Sequence, residues 1–195
     1  MKLLTKLFTL IGIVVVFATA GSAVYFQNEI RSMKALDDKA ASVYLEMMQV
    51  LFETGNAAEA TVWRVPLADG VSASDADEAM KSVANEHNIK NVGELPLSKQ
   101  VEVMTGKPYR TMKIYMFCDP ITATRMLDYS DAFSAYLPCR VAMVEDKQGK
   151  HWLYTLNMDL MIHGGKPLPA DLKREAEKVK EIMLDIMHRG AQGDF

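Results

Sequence analysis

Cysteine is scarce in this chain: there are two, Cys118 and Cys139, in 195 residues. No Cys-x-x-Cys occurs, which excludes a thioredoxin-like dithiol exchanger and a zinc site built on paired cysteines. Basic charge is not in excess either. Lys and Arg number 22 against 25 Asp and Glu, for a formal charge of −3, and no basic run is interleaved with aromatics. A nucleic-acid surface needs both features, so no nucleic-acid partner is expected. The four histidines are scattered, with no His-Glu-x-x-His. No Gly-x-Ser-x-Gly elbow is present. Gly164-Gly165 is followed by Lys166-Pro167, with no strand-to-helix phosphate cradle around it. A hydrolytic enzyme therefore has the least support. No catalytic residue is assigned, and no cofactor is named by composition or spacing.

What is present begins with a long uncharged run. Lys2 and Lys6 precede Leu7–Phe26, twenty residues without a charge. At ~1.5 Å each they cover ~30 Å, the hydrocarbon thickness of a bilayer. A cleavable signal has an apolar core of only ~7–15 residues. Ala18-Thr19-Ala20 and Gly21-Ser22-Ala23 do have the small residues of a cleavage site, but the length favours a retained anchor. The lysines mark the cytoplasmic side. A single-pass protein of the inner (cytoplasmic) membrane follows, with the rest of the chain in the periplasm. Gln27 to Thr54 reads as continued helix, free of Gly and Pro until Gly55. Ile30, Met33, Ala40, Tyr44, Met47 and Leu51 recur at helical steps, while Asp37 and Asp38 interrupt the heptads. Such a stripe suits a stalk resting on its own domain. It equally suits pairing with a second copy or with a membrane-protein partner. The expected divisions are a transmembrane signal anchor over 1–26, a helical stalk over 27–56 and a globular domain over 57–195.

The domain alternates strands and helices. Thr61–Val65 reads as a strand. Ser74 caps a helix with Asp77 at the third position, and Ala76, Ala79, Met80, Val83 and His87 make its inner face. Ile89–Leu95 is a strand and Leu97–Met104 a short helix. Tyr109–Cys118 is the strongest strand, with Met112, Ile114, Met116 and Cys118 on its expected core face. Asp119 caps the next helix with Pro120 at its first position. Cys139–Glu145 and His151–Leu156 form a hairpin, Asn157–Leu168 is irregular, and a last helix runs from Pro169 to Gly190. The fold class is α+β, with a mixed sheet packed against helices.

Phe117-Cys118-Asp119-Pro120, the helix after it, Leu137-Pro138-Cys139-Arg140-Val141 and the hairpin together resemble the bacterial family catalogued as domain of unknown function 302. The resemblance covers roughly Thr61 to Ile162. It departs at Asp119, where the family often has Asn, and at Asn88-Ile89, where Gly-Phe is common. It implies a compact, often self-associating α+β fold. It implies no activity, so no catalytic residue is carried over.

Two sets of residues could carry chemistry. Both cysteines stand at one end of the expected sheet and face its core. They fit a disulfide, a pair of inert buried thiols, or a reactive ligand or redox site with Asp119 and Arg140. Cys118 precedes a helix N-terminus and Cys139 precedes Arg140, and both features lower a thiol pKa. Met158, Met161 and His163 form the second set, a donor group suited to Cu(I). The plain alternative packs both methionines under the last helix, since Met, of which there are 14, fills cores well. Two functions follow. One is a membrane-anchored extracytoplasmic binding or accessory module, serving as a subunit of a membrane complex. The other is a thiol- or metal-dependent protein of sulfur, copper or haem handling that uses Cys118 and Cys139.

Overall fold

A computed structural model describes residues 2–195. The side chains of Lys2, Leu3, Ala23 and Ile30 lie outside the described residues, and with them the first position of the expected stalk stripe. Helix α1, Lys2–Tyr25, carries the apolar run. Its segment Leu4–Ser22 has a mean hydropathy of 2.0, and none of it is buried. It is long and apolar enough to cross a membrane, a test that a signal sequence also passes.

The expected single helix from Gln27 to Thr54 is broken. Helix α2 spans Gln27–Lys34 and α3 spans Ala40–Thr54. The break has a physical cause at Asp37, which leaves the helical ladder to enter the domain. Its amide donates to the Gly165 carbonyl at 2.8 Å, and its carboxylate accepts from Lys173 Nζ at 2.5 Å. From there α3 rests on the domain. Ala40 and Val43 are buried, and the Tyr44 hydroxyl donates to Gly164 O at 2.7 Å. Met33, part of the expected stripe, is 70% exposed. Gly55 ends α3 at φ +65°, a left-handed conformation that favours glycine. A short helix α4, Ala57–Ala60, follows.

Five strands make the sheet: β1 Val62–Pro66, β2 Lys90–Leu95, β3 Met112–Cys118, β4 Cys139–Glu145 and β5 His151–Leu156. Their spatial order is β1-β5-β4-β3-β2. The α+β class is observed. The sheet is antiparallel throughout, however, and not mixed. Helix α6, Leu97–Thr105, joins β2 to β3 at one end of the sheet, so the chain reverses there. Helix α7, Pro120–Tyr129, and a 3-10 turn over Asp131–Tyr136 join β3 to β4 at the other end. Only α5, Ala73–Glu86, crosses the whole sheet, from the β1 edge to the β2 edge.

One face of the sheet is covered by α5 and by α9, Ala170–Gln192. Buried there are Tyr115, Phe117, Val141, Met143, Leu153 and Thr155. This corrects the expected inner face of β3: the two aromatics point inward, while Met112, Ile114 and Met116 belong to the opposite face and Cys118 stands at the strand tip. Tyr115 and Phe117 are both fully buried, large aromatic contributors to the core. The cap of α5 is also shifted, to a capping box of Ser72 and Asp75. Asp77 is instead drawn into ion pairs with Lys81 and Lys113. His87 ends α5, half-exposed, with Nε2 2.7 Å from Asp185. Helix α9 runs past Gly190, its expected stop. Gly190 is buried against α5, and a Cβ there would stand 2.3 Å from Met80 Cγ. The glycine permits a close helix crossing, and Gly193 at φ +66° supplies the cap.

Candidate functional site

The site lies at the end of the sheet where β3 hands over to α7 and β4 begins. Phe117 pairs with Cys139, so the cysteines stand at the same end of adjacent antiparallel strands, as expected. Cys139 shares the core-facing side with Phe117. Cys118 is one residue further on, at the strand tip. Asp119 accepts from the Ile121 and Thr122 amides at 3.0 and 3.3 Å and starts α7. Along α7, Thr122 and Met126 turn inward and are buried. On the other side, Thr155 Oγ1 donates to the Arg140 carbonyl at 2.7 Å, stitching β5 to the start of β4.

The segment after β5 is not irregular. Asn157 accepts from the Asp159 amide at 2.9 Å and opens helix α8, Met158–His163. Three residues apart on a helix, Met158 and Met161 share a face. That face closes a cavity of about 30 Å³ whose lining includes Cys118, Met126, Cys139, Met158, Met161 and Phe117. A second cavity of about 20 Å³ shares Cys139, Met158 and Met161 and adds Arg140. Two thiols and three thioethers thus line one recess. The space suits one small species of about the size of a water. A drug-sized ligand needs hundreds of Å³.

Both cysteines are free thiols. Burial pushes the Cys139 thiol up to about 11, with Cys118 adding to the rise and Arg140 opposing it. Burial also raises the Cys118 thiol, and the Asp119 carboxylate adds to that. The expected activation of the thiols does not occur. The helix N-terminus after Cys118 is already occupied by the Asp119 cap, and exposed Arg140 does not offset the desolvation of Cys139.

His163 parts company with the methionines. It is fully buried on the far side of α8, its Nδ1 3.1 Å from Asp37. Its Nε2 is 3.7 Å from Asp159 and 3.6 Å from Glu177, without a hydrogen-bond partner. Burial alone would raise the Asp37 carboxyl. Hydrogen bonds from Lys173 and the Lys39 amide, with the His163 contact, outweigh that and hold it below the usual carboxylate range. A second charged group ties α5 to the β2 edge: Lys81 and Lys113 each pair with both Asp77 and Glu94. Two cations and two anions cancel there, leaving no charge free for a ligand. Among the described residues, no three His, Cys, Asp or Glu side chains are grouped to hold a metal. Met126 and Lys173 were not singled out from sequence, and His163 was read as a metal donor, not as a partner of Asp37. Met126 was findable, four residues after Thr122 on the inner side of a helix whose cap was already clear.

No curated protein matches this chain. The crystal structure of an uncharacterized conserved DUF302 protein from Bacillus stearothermophilus is similar in fold, with a TM-score of 0.55 and 14% identity. The match covers 66% of this chain and 97% of that one. The family model "Domain of unknown function DUF302" matches residues 63–189. That span takes in all five strands but for the first residue of β1, the sulfur-lined recess and most of α9, and it leaves out α1 to α4. From β1 onward, therefore, the chain belongs to the DUF302 family.

Proposed function

We propose that this chain is a membrane-tethered binding module whose globular domain lies outside the cytoplasm, in the periplasm of a cell with two membranes. The observation that carries the reading is the way the apolar helix is joined to the domain. The chain between α2 and α3 is pinned by buried Asp37, and α3 is docked through Ala40, Val43 and Tyr44. An anchor held this way sets the domain at the membrane surface. The lysines before the apolar run support an N-terminus in the cytoplasm. The outer side of α3 supports an accessory role in a membrane assembly: Leu45 and Phe52 are 64% and 79% exposed on it. A second copy or a membrane subunit would pair there. The recess at Cys139 is where the module would hold its ligand.

Reporter fusions at the C-terminus test the topology. A periplasm-dependent phosphatase should be active and a cytoplasm-dependent fluorophore dark, with full-length chain in the membrane fraction after an alkaline wash. The opposite reporter pattern, or a shortened soluble chain, refutes the reading. In detergent the full chain should migrate as a dimer or larger, or together with a membrane subunit. A lone monomer counts against the role of α3.

A further inference from the structure

We propose that the recess between β3, β4, α7 and α8 binds a single soft monovalent metal ion of the Cu(I) class, through the thiols of Cys118 and Cys139 and the thioethers of Met158 and Met161. The inference names a ligand for the binding module and rests on that reading for its biological setting, though not for its chemistry.

The donor set decides the class of ion. Apart from Asp119 and the Thr122 hydroxyl bonded to it, every side-chain donor lining the recess is sulfur: Cys118, Cys139, Met158 and Met161, with Met126 on the same wall. The carboxylate of Asp119 also lines it, but its oxygens already accept from the Ile121 and Thr122 amides and the Thr122 hydroxyl. His163, the nearest imidazole along the chain, is held by Asp37 on the far side of α8. Thioethers ligate soft ions and do not serve Mg²⁺, Ca²⁺ or Mn²⁺, and structural zinc sites use thiolates and imidazoles. Two thiols and several thioethers match Cu(I), with Ag(I) as its close analogue.

Size and position agree with the donors. About 30 Å³ admits one ion and no organic ligand. Phe117 and Phe133 wall the recess. An apolar wall costs a strongly hydrated hard ion more than a weakly hydrated soft one. Four different elements supply the sulfurs, so folding itself assembles the group. The binding step is ligand exchange without a change of oxidation state. Each cysteine that ligates forms a metal–sulfur bond and releases its proton to solvent. Two thiolates and one monovalent cation leave one net negative charge, and Arg140 lines the adjoining cavity on the other side of Cys139.

The test uses reduced full-length protein in detergent, titrated without oxygen with Cu(I) against a colorimetric Cu(I) chelator, and with Ag(I) as a second probe. One ion per chain is expected. Cys139→Ser and Cys118→Ser should each weaken binding by roughly 100-fold or more, and Met158→Leu with Met161→Leu by roughly 10-fold. The leucines keep the packing, so an unchanged thermal midpoint in that variant separates ligand loss from misfolding. X-ray absorption of the Cu(I) form should show sulfur alone around the metal. No ion retained against the chelator would overturn the proposal. So would affinity that survives loss of both cysteines, or nitrogen in the coordination sphere. A chain that binds Cu(I) but keeps its domain in the cytoplasm would refute the topology and leave the site. An exported, membrane-held chain that binds none would refute the site and leave the tether.

Discussion

Helix α8 feeds two buried clusters that are unlike in every chemical respect. One of its sides gives Met158 and Met161 to the sulfur-lined recess, and the other gives His163 to Asp37. The Asp37 cluster is hard, charged and largely paired. Asp37 takes hydrogen bonds from Lys173 and from the Lys39 amide, and faces the imidazole of His163. The recess is soft and, apart from the capping Asp119 carboxylate, neutral, and it has room for one small species. Unpaired charge is costly in a protein interior, so a buried ionic cluster must be completed by the fold itself. Thiols and thioethers tolerate burial with no partner at all. The fold can thus leave the recess incomplete at little cost, which makes it the better place for a ligand. The Asp37 cluster, by the same reasoning, is a structural joint.

The strongest way to break this contrast is to remove the carboxylate. Asp37→Ala strands Lys173 and His163 and should cost about 3 kcal/mol or more. It should appear as a lower urea midpoint at unchanged slope; a change under about 0.5 kcal/mol would mean the joint does not hold the tether. The pH dependence has a definite sign. Because the folded carboxyl lies below its ordinary range, its contribution is fully present above pH ~4 and is lost as pH falls further. Asp37→Asn should flatten the acid limb of urea midpoints taken between pH 7 and 3, and an unaltered limb would assign acid loss to other groups.

Substitutions in the recess should be milder. Met158→Leu conserves volume in a site with slack and should cost less than about 1.5 kcal/mol by thermal unfolding. A larger loss would make the methionines ordinary, tightly packed core. The smallest effect is on thiol chemistry. With both thiols raised, a disulfide reagent at pH 7 should react slowly with half-exposed Cys118 and more slowly still with Cys139, whose reaction should accelerate as pH approaches about 11. A rapid reaction of Cys139 at neutral pH would show a thiolate, and with it a redox site instead of a neutral recess.

Local signals carried much of this fold into view. Strands β4 and β5 begin and end where alternation and the Asp146–Gly149 turn put them. Asp119 and Pro120 start α7 as their chemistry requires. What escaped depends on distant partners. Nothing local says that Asp37 should leave its helix, because Lys173 and Gly165 lie far along the chain. Nor does alternation in β3 say which of two apolar sets turns inward. The candidate site was half legible. The cysteines were correctly brought to one end of the sheet and to one recess, but the core face of β3 was given to Met112, Ile114 and Met116 in place of Tyr115 and Phe117. Met158, Met161 and His163 looked like one donor set only while Asn157–Leu168 was read as irregular. Once the segment is helical, the histidine turns about 140° away from Met158, at 100° per residue.

The brevity of α2 has a kinetic consequence. It has eight residues, and a helix rises ~1.5 Å per residue. With the few residues around it, Asp37 can stand no more than roughly 30 Å from the end of α1, whatever angle the helices take. With α1 in a bilayer, the domain and its recess are held near the lipid headgroups. A partner in the same membrane then meets it at the high effective concentration of a short tether, and even a weak individual contact would be occupied much of the time.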